Sequence, residues 1–288
     1  MSHRFQAPRR LILALLAAAS GVAPVASVAA VSAVTVGCGN SRVTPGSAQE
    51  AYERGVDAFD RGKYARSIEH FRTALDFGRT SDLAANAQLY LARSYAGDRQ
   101  FLLAGNEYTR FIEFYRSDDR VQQAAFERIQ AYAELSPKHE LDQTDTQRAI
   151  DYIRLYLSQY PQSANADEAA SLLGDLREKL AMKRFDNGRL YERRELYEAA
   201  IVYYEGVLQE YPTSQWADDA LLGALRAQVS FADNSVPARQ PERYREALDK
   251  YDRFTSLFPS SPLVRDAESL YDDAFSALSD LEAVASDQ

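Results

Sequence analysis

Three histidines, one cysteine and a few paired aspartates are the residues on which chemistry could be built in this chain. His139 opens "HELDQ", which begins like a metalloprotease zinc box. That box needs a second imidazole four residues on, one helical turn away, and Gln143 stands there. His70 lies beside Phe71 on an amphipathic stretch and reads as a surface residue rather than a ligand, and His3 falls in an apolar leader. Asp118/Asp119, Asp218/Asp219 and Asp272/Asp273 could in principle share a proton, but acids at helix starts and faces are ordinarily solvated there and complement the helix dipole. "GDLREK" and "DNGR" are not phosphate-cradling loops, and no Rossmann glycine pattern occurs. One thiol, Cys38, can neither close an internal disulfide nor make a zinc site. These residues form no catalytic set and imply no cofactor or metal. The sequence therefore predicts a non-enzymatic protein.

The position of Cys38 is informative. "MSHRFQAPRR" is basic, and the apolar run from Leu11 carries no charge up to Cys38. This pattern predicts an export signal over residues 1–37. "VTVGC" resembles a bacterial lipoprotein cleavage box, with Thr35 where leucine is usual. Cys38 would then be the lipid-attachment residue, and 38–48 a short tether. Cleavage near Ala30 or Ala33 would instead leave a free thiol. By resemblance to enterobacterial sorting, Gly39 after the cysteine favours the outer membrane. Arg4, Arg9 and Arg10 are the only charged side chains in the leader, so the remainder is more acidic than the −9 of the whole chain. Such a field repels nucleic acid and anionic lipid.

Elements that could position a site are helical. Hydrophobic residues make up 46% and charged residues 26% of 288, which suits a folded soluble body. From Ala51 onward apolar and small residues recur three and four apart. "GRLYERRELYEAAIVYYEGVLQEYP" places Gly188 and Tyr191 on one helix and Tyr197, Ala200 and Tyr204 on the next, ending at Pro212. This is close to the tetratricopeptide pattern of about 34 residues, in which small residues let two helices approach and aromatics fill the groove between pairs. Gly55, Gly62, Ser67 and Phe71 repeat the frame, as do Ala92, Tyr95, Ala104 and Tyr108, then Tyr132, Ala149 and Tyr156, then Tyr244, Ala247 and Phe254. The predicted fold is all-α, a tetratricopeptide superhelix of about five helix pairs without a β-sheet. "ELSPKHELDQTDT" and "FADNSVPARQPER" lengthen two turns, and Thr144 with Gln147 fits a capping box. Tyr-Pro-x-Ser at Tyr160 and Tyr211, and Phe-Pro-x-Ser at Phe258, end one pair and open the next. Pro stops the helix, and Ser163, Ser214 and Ser261 suit the following N-caps. After the second unit "FYRS" keeps the aromatic and Ser117 without the proline. Ser163–Arg194, without proline and with a Leu172/Leu173/Leu176/Leu180 stripe, reads as a long helix linking an N-terminal half (49–162, units one to three) to a C-terminal half (163–288, units four and five).

Cys38 before a short tether, five such units in order, the Asp-Gln-Thr lead-in of "LDQTDTQRAIDYIRLYLSQYPQSANADEA" and the long helix with its fourth unit together resemble the BamD (YfiO) family. These are outer-membrane lipoproteins of the β-barrel assembly machinery. The resemblance covers about residues 38–285. It implies a scaffold on the periplasmic face of the outer membrane, lipid-anchored, whose C-terminal units dock on a BamA-like barrel subunit alongside other assembly subunits. Its N-terminal groove would meet unfolded barrel proteins, at a C-terminal strand ending in an aromatic residue and a free carboxylate. By repeat geometry Tyr52, Phe59, Arg93 and Gln130 face that groove. Arg93 is the candidate for the carboxylate, with a solvated side chain as the alternative. Tyr52 and Phe59 are candidate pocket walls, with plain packing as the default. Arg193 and Arg194, a basic pair at the fourth turn, either contact the barrel subunit or cap the carbonyls ending the long helix. Rival readings are another exported repeat protein, such as a CpoB-like cell-division coordinator or a pilus-assembly lipoprotein, and an enzyme with a concealed hydrolytic site.

Overall fold

Helix follows helix throughout the computed structural model, which describes residues 45–286. Among the described residues there are eleven helices and no strand: α1 (Ala48–Asp60), α2 (Tyr64–Asp76), α3 (Asp82–Gly97), α4 (Phe101–Phe114), α5 (Val121–Glu134), α6 (Thr144–Gln159), α7 (Ala166–Arg193), α8 (Tyr197–Glu210), α9 (Ala217–Asp233), α10 (Gln240–Leu257) and α11 (Val264–Ser286). Consecutive helices pack as five pairs, and α11 covers the last pair. The leader and Cys38 lie outside the described residues. No described helix is long and apolar enough to cross a membrane.

The two kinds of connection have different chemistry. Three of the turns within a pair, α1–α2, α3–α4 and α7–α8, end the first helix with a residue in the left-handed region: Gly62 (φ 67°), Arg99 (φ 58°) and Glu195 (φ 59°). Each turn makes the same two backbone bonds. Lys63 N–H reaches the Ala58 carbonyl at 2.8 Å, Gln100 the Tyr95 carbonyl at 2.8 Å, and Leu196 the Tyr191 carbonyl at 3.0 Å, while the left-handed residue bonds three positions back. This is a Schellman close, which satisfies the last carbonyls of the helix. Gly62 adopts it freely, whereas Arg99 and Glu195 do so at a steric cost of about 1 kcal/mol each.

The turns after the third, fourth and fifth pairs carry the aromatic-Pro-x-Ser sequence. Its serines sit two residues earlier than the N-caps. Ser163, Ser214 and Ser261 accept from the N–H two residues on, at 3.1, 3.2 and 3.2 Å, and the next helices start at Ala166, Ala217 and Val264. A side chain that bonds its own backbone two residues ahead shapes a turn rather than caps a helix. Each serine also ties back to an earlier helix, through Tyr156 (2.5 Å), Glu178 (2.7 Å) and Asp218 (2.8 Å). After the second pair Asp118, not Ser117, holds this position. Its N–H bonds the Tyr115 carbonyl at 2.9 Å and its carboxylate accepts the Arg120 N–H at 2.9 Å. The capping box also shifts: Thr144 is the first helical residue, and the Asp142 carboxylate takes its N–H at 3.0 Å.

Small residues set the distance between helices at the fourth pair. A Cβ on Gly188 would lie 2.6 Å from the Tyr204 ring, and one on Gly223 would lie 2.7 Å from the same ring. Tyr204 is wholly buried between α7 and α9, and its hydroxyl donates to Glu192 at 2.6 Å. Three apolar clusters follow the stack: α1–α4 with part of α5, then α5–α7, then α7–α11. α7 feeds two of them, giving Ala169 and Leu176 to the middle core and Ala181 to the last. The lengthened third turn is strapped along this helix. Lys179 donates to the Ser136 hydroxyl (2.7 Å), Lys183 to the carbonyl of Leu141 (2.7 Å), and His139 meets Asp186 at 2.9 Å.

Candidate functional site

The face shared by the first helices of units one to three holds the residues singled out for the groove. Tyr52 and Phe59 lie on α1, half-buried, and both meet Tyr90 of α3 edge-on, with ring centroids 6.1 and 5.3 Å apart. Tyr90 also stacks on Phe71 at 5.4 Å. Tyr52 and Phe59 therefore wall an aromatic cluster centred on a residue that the repeat pattern did not single out. Its position one helical turn before Arg93 was the available signal. Burial pushes the Tyr52 hydroxyl above its usual pKa, against the pull of Arg120. It stays a neutral donor across the physiological range.

Arg93 is neither solvated nor vacant. Its Nε and one Nη donate to the two carboxylate oxygens of Glu127 on α5, at 2.8 and 2.7 Å. This two-point fork holds the guanidinium charged, its pKa raised by the Glu127 hydrogen bonds against the cost of burial. Tyr108 packs beneath, its hydroxyl pushed well up by burial and then by the Glu127 charge. About a third of the Arg93 side chain (32%) remains accessible, against 15% of Glu127. A guanidinium has five N–H donors, so three remain for a ligand. Further along, Gln130 is exposed and donates to Glu168 of α7 at 3.2 Å. Arg120 is held by Asp118 and donates to Asn86 at 2.5 Å. The face is thus an aromatic patch followed by a row of polar groups already committed to one another.

A second fork ties units four and five. Arg226 of α9 donates to both oxygens of Glu192 on α7, at 2.6 and 3.0 Å, and Tyr204 adds a third bond. Both forks join residues 34 apart, one repeat length. Burial pushes Glu192 up, but the hydrogen bonds from Arg226 and Tyr204 outweigh it and hold its carboxyl below the ordinary range. Arg193 and Arg194 are exposed, and neither side chain bonds the end of α7, whose carbonyls are closed by the N–H groups of Arg194, Glu195 and Leu196. The capping alternative is replaced by backbone.

A cavity of about 520 Å³ lies beside the strapped turn, lined by Ser136, Pro137, His139, Lys179, Met182 and Trp216 among others. Among the described residues no group of three or more histidines, cysteines or acids is placed to hold a metal ion.

Stacked helix pairs, cross-tied at one repeat length and carrying an aromatic and charged face, define a tetratricopeptide-type scaffold. The YfiO model, described as an outer membrane lipoprotein family, matches residues 45–232, and the chain belongs to that family. It is 24% identical over 188 residues to the outer membrane protein assembly factor BamD of Caulobacter vibrioides, a match spanning 65% of this chain and 62% of that relative. Among solved structures it is similar to a tetratricopeptide-repeat protein of Bacteroides fragilis, at 14% identity over 80% of this chain and 99% of that one, with a TM-score of 0.45. It is also similar to the TPR2AB domain of yeast Sti1, at 14% identity over 79% and 98%, with a TM-score of 0.36.

Proposed function

We propose that this protein is a non-enzymatic scaffold of outer-membrane β-barrel protein assembly, anchored to the periplasmic face of the outer membrane by lipid on Cys38. The observation that carries the reading is the family match over 45–232, together with the assembly-factor name of the relative. The leader and the single cysteine ahead of the first helix agree with it.

In this reading the N-terminal half (49–162) receives C-terminal segments of unfolded barrel proteins. Tyr52 and Phe59, with Tyr90, supply an apolar wall for the terminal aromatic side chain. Arg93 offers its three remaining donors to the terminal carboxylate, and Gln130 lies further along the track. The C-terminal half (163–288) meets a BamA-like barrel subunit and other subunits of the complex, with Arg193 and Arg194 presenting exposed, uncommitted charge to partner acids. The acidic average field of the chain disfavours nucleic acid as a partner.

The test is affinity purification of the full chain from detergent-solubilised outer membrane. A BamA-like barrel subunit should co-purify, and reversing Arg193 and Arg194 to Glu should deplete it. Clean recovery of the protein without any such barrel would overturn the reading. Cys38→Ala should move the protein from the membrane to the soluble periplasmic fraction.

A further inference from the structure

Arg128 of α5 is the only arginine among the buried described residues, at 6% exposure. Other inward-lying arginines have a carboxylate: Arg93 has Glu127, Arg226 has Glu192 and Arg120 has Asp118. Arg128 makes no hydrogen bond or ion pair, and its Nε is buried without a partner. Its guanidinium lies on the Tyr152 ring of α6, with the central carbon 4.2 Å from the ring centroid. Tyr152 stacks on Tyr132 at 4.7 Å, and Arg148 lies over the Tyr132 ring at 6.0 Å. The groups acting on Arg128 are Tyr152 and Tyr160 of the α6 side, Tyr132 of its own helix, and Glu113 at the end of α4, which lies beyond ion-pair distance.

Magnitudes show why this is an unfinished site. Burying a cation costs several kcal/mol after relaxation. A cation–π contact returns on the order of 0.5–2 kcal/mol. One ring face therefore offsets only part of this cost for a guanidinium whose Nε is buried without a partner. Desolvation accordingly pulls the Arg128 pKa down, against the attraction of the tyrosines and Glu113. Apolar side chains flank the seam: Phe114, next to Glu113, is 69% exposed, and Leu155, one turn from Tyr152, is 44% exposed.

We propose that the seam between α4, α5 and α6 is a receptor for an aspartate or glutamate side chain of a partner peptide, with Arg128 as its buried cation and Tyr152 as its wall. A side-chain carboxylate stands away from its own backbone on one or two methylenes and can reach a guanidinium set below the surface. A chain-terminal carboxylate would have to bring main chain with it. An apolar residue beside the acid on the partner would cover Phe114 or Leu155. This site is separate from the groove residues of α1 and α3 and does not depend on what they bind.

The test uses the full chain labelled with nitrogen-15. The Nε–H resonance of Arg128, assigned by its loss in Arg128→Lys, is followed during titration with N-acetyl-Leu-Asp-amide, its Asn twin, and N-acetyl-Ala-Leu with a free C-terminus. The Asp peptide should give a saturable shift, and the Asn and free-terminus peptides none. Arg128→Met should abolish the response of the Tyr152 ring signals to the Asp peptide while raising the thermal midpoint, because it removes an uncompensated buried charge. No shift with the Asp peptide, equal shifts with its Asn twin, or a shift only with the free terminus would overturn the proposal. So would a lowered midpoint in Arg128→Met, which would mean that the fold already compensates the charge.

Discussion

Breaking the Arg93–Glu127 fork from either end should have the same effect on stability and opposite effects on binding. Two charge-assisted hydrogen bonds at 2.8 and 2.7 Å, between side chains 32% and 15% exposed, lie between a surface pair and a buried one. Loss of either partner's charge should cost about 1–2 kcal/mol. Arg93→Gln and Glu127→Gln should therefore lower the denaturant midpoint alike. If Arg93 receives a barrel protein's terminal carboxylate on its remaining donors, Glu127 sets a like charge beside it. Removing that charge relieves a repulsion on the order of 1.4 kcal/mol, so Glu127→Gln should bind about tenfold tighter. Arg93→Gln should bind about tenfold more weakly. Arg93→Glu is a poorer probe, because it sets two carboxylates side by side and disturbs the fold as well as the ligand. The assay is fluorescence anisotropy with a labelled C-terminal decapeptide of a barrel protein ending in an aromatic residue, as free acid and as amide. Affinities that fall together in both variants, or an amide that binds as well as the acid, would refute the assignment and leave the fork a purely structural tie.

Gly188→Ala and Gly174→Ala both gain helix propensity of about 1 kcal/mol, but only the first drives a Cβ to 2.6 Å from Tyr204, which Gly223 blocks from retreating. Overpacking of about 1–3 kcal/mol should leave Gly188→Ala less stable than Gly174→Ala in denaturant unfolding followed by Trp216 fluorescence, and equal midpoints would contradict the clamp. Glu195→Gly should raise the thermal midpoint by a few degrees, since it relieves about 1 kcal/mol of left-handed strain at φ 59°, and the same change at Arg99 should do likewise. The depressed carboxyl of Glu192 contributes stability that is fully present above the unfolded-state value of about 4.3 and is lost as pH falls through the lower folded-state value. Glu192→Gln should therefore be less stable than the parent at pH 7, and the gap should close on acidification below about pH 4 in melts across that range.

Helices, pair order and the turn within each pair were legible in the sequence because their causes are local. Apolar spacing, a Gly at Gly62 and a small residue opposite an aromatic each act within a few tens of residues. The turn between pairs was legible as punctuation but its serine was misplaced by two residues, since a serine two residues ahead of a helix cap resembles the cap itself. Asp118 shows what the position requires: a short side-chain acceptor two residues before a free N–H, not a serine or a proline as such. The leader and the lipid box lie outside the described residues and remain readings of composition.

Site residues were legible only where repeat geometry fixed a face. That frame brought Tyr52, Phe59 and Arg93 to one side of the stack but could not show Arg93's partner, because pairing depends on side-chain reach across units. The 34-residue interval of both forks shows how such partners can be sought in a repeat: one period along, on the neighbouring first helix, for the opposite charge. For Arg128 the same interval ends at Gln162, in the turn before α7, because the lengthened third turn stretches the α5–α7 offset to 38 in the Gln130–Glu168 bond. Arg128 is left without the tie that Arg93 finds in Glu127 and Arg226 in Glu192, and it lies buried all the same. A buried cation without an internal carboxylate is better accounted for by an anion from outside the chain than by a defect in packing, because Tyr152 and Tyr132 are already stacked to hold it in place.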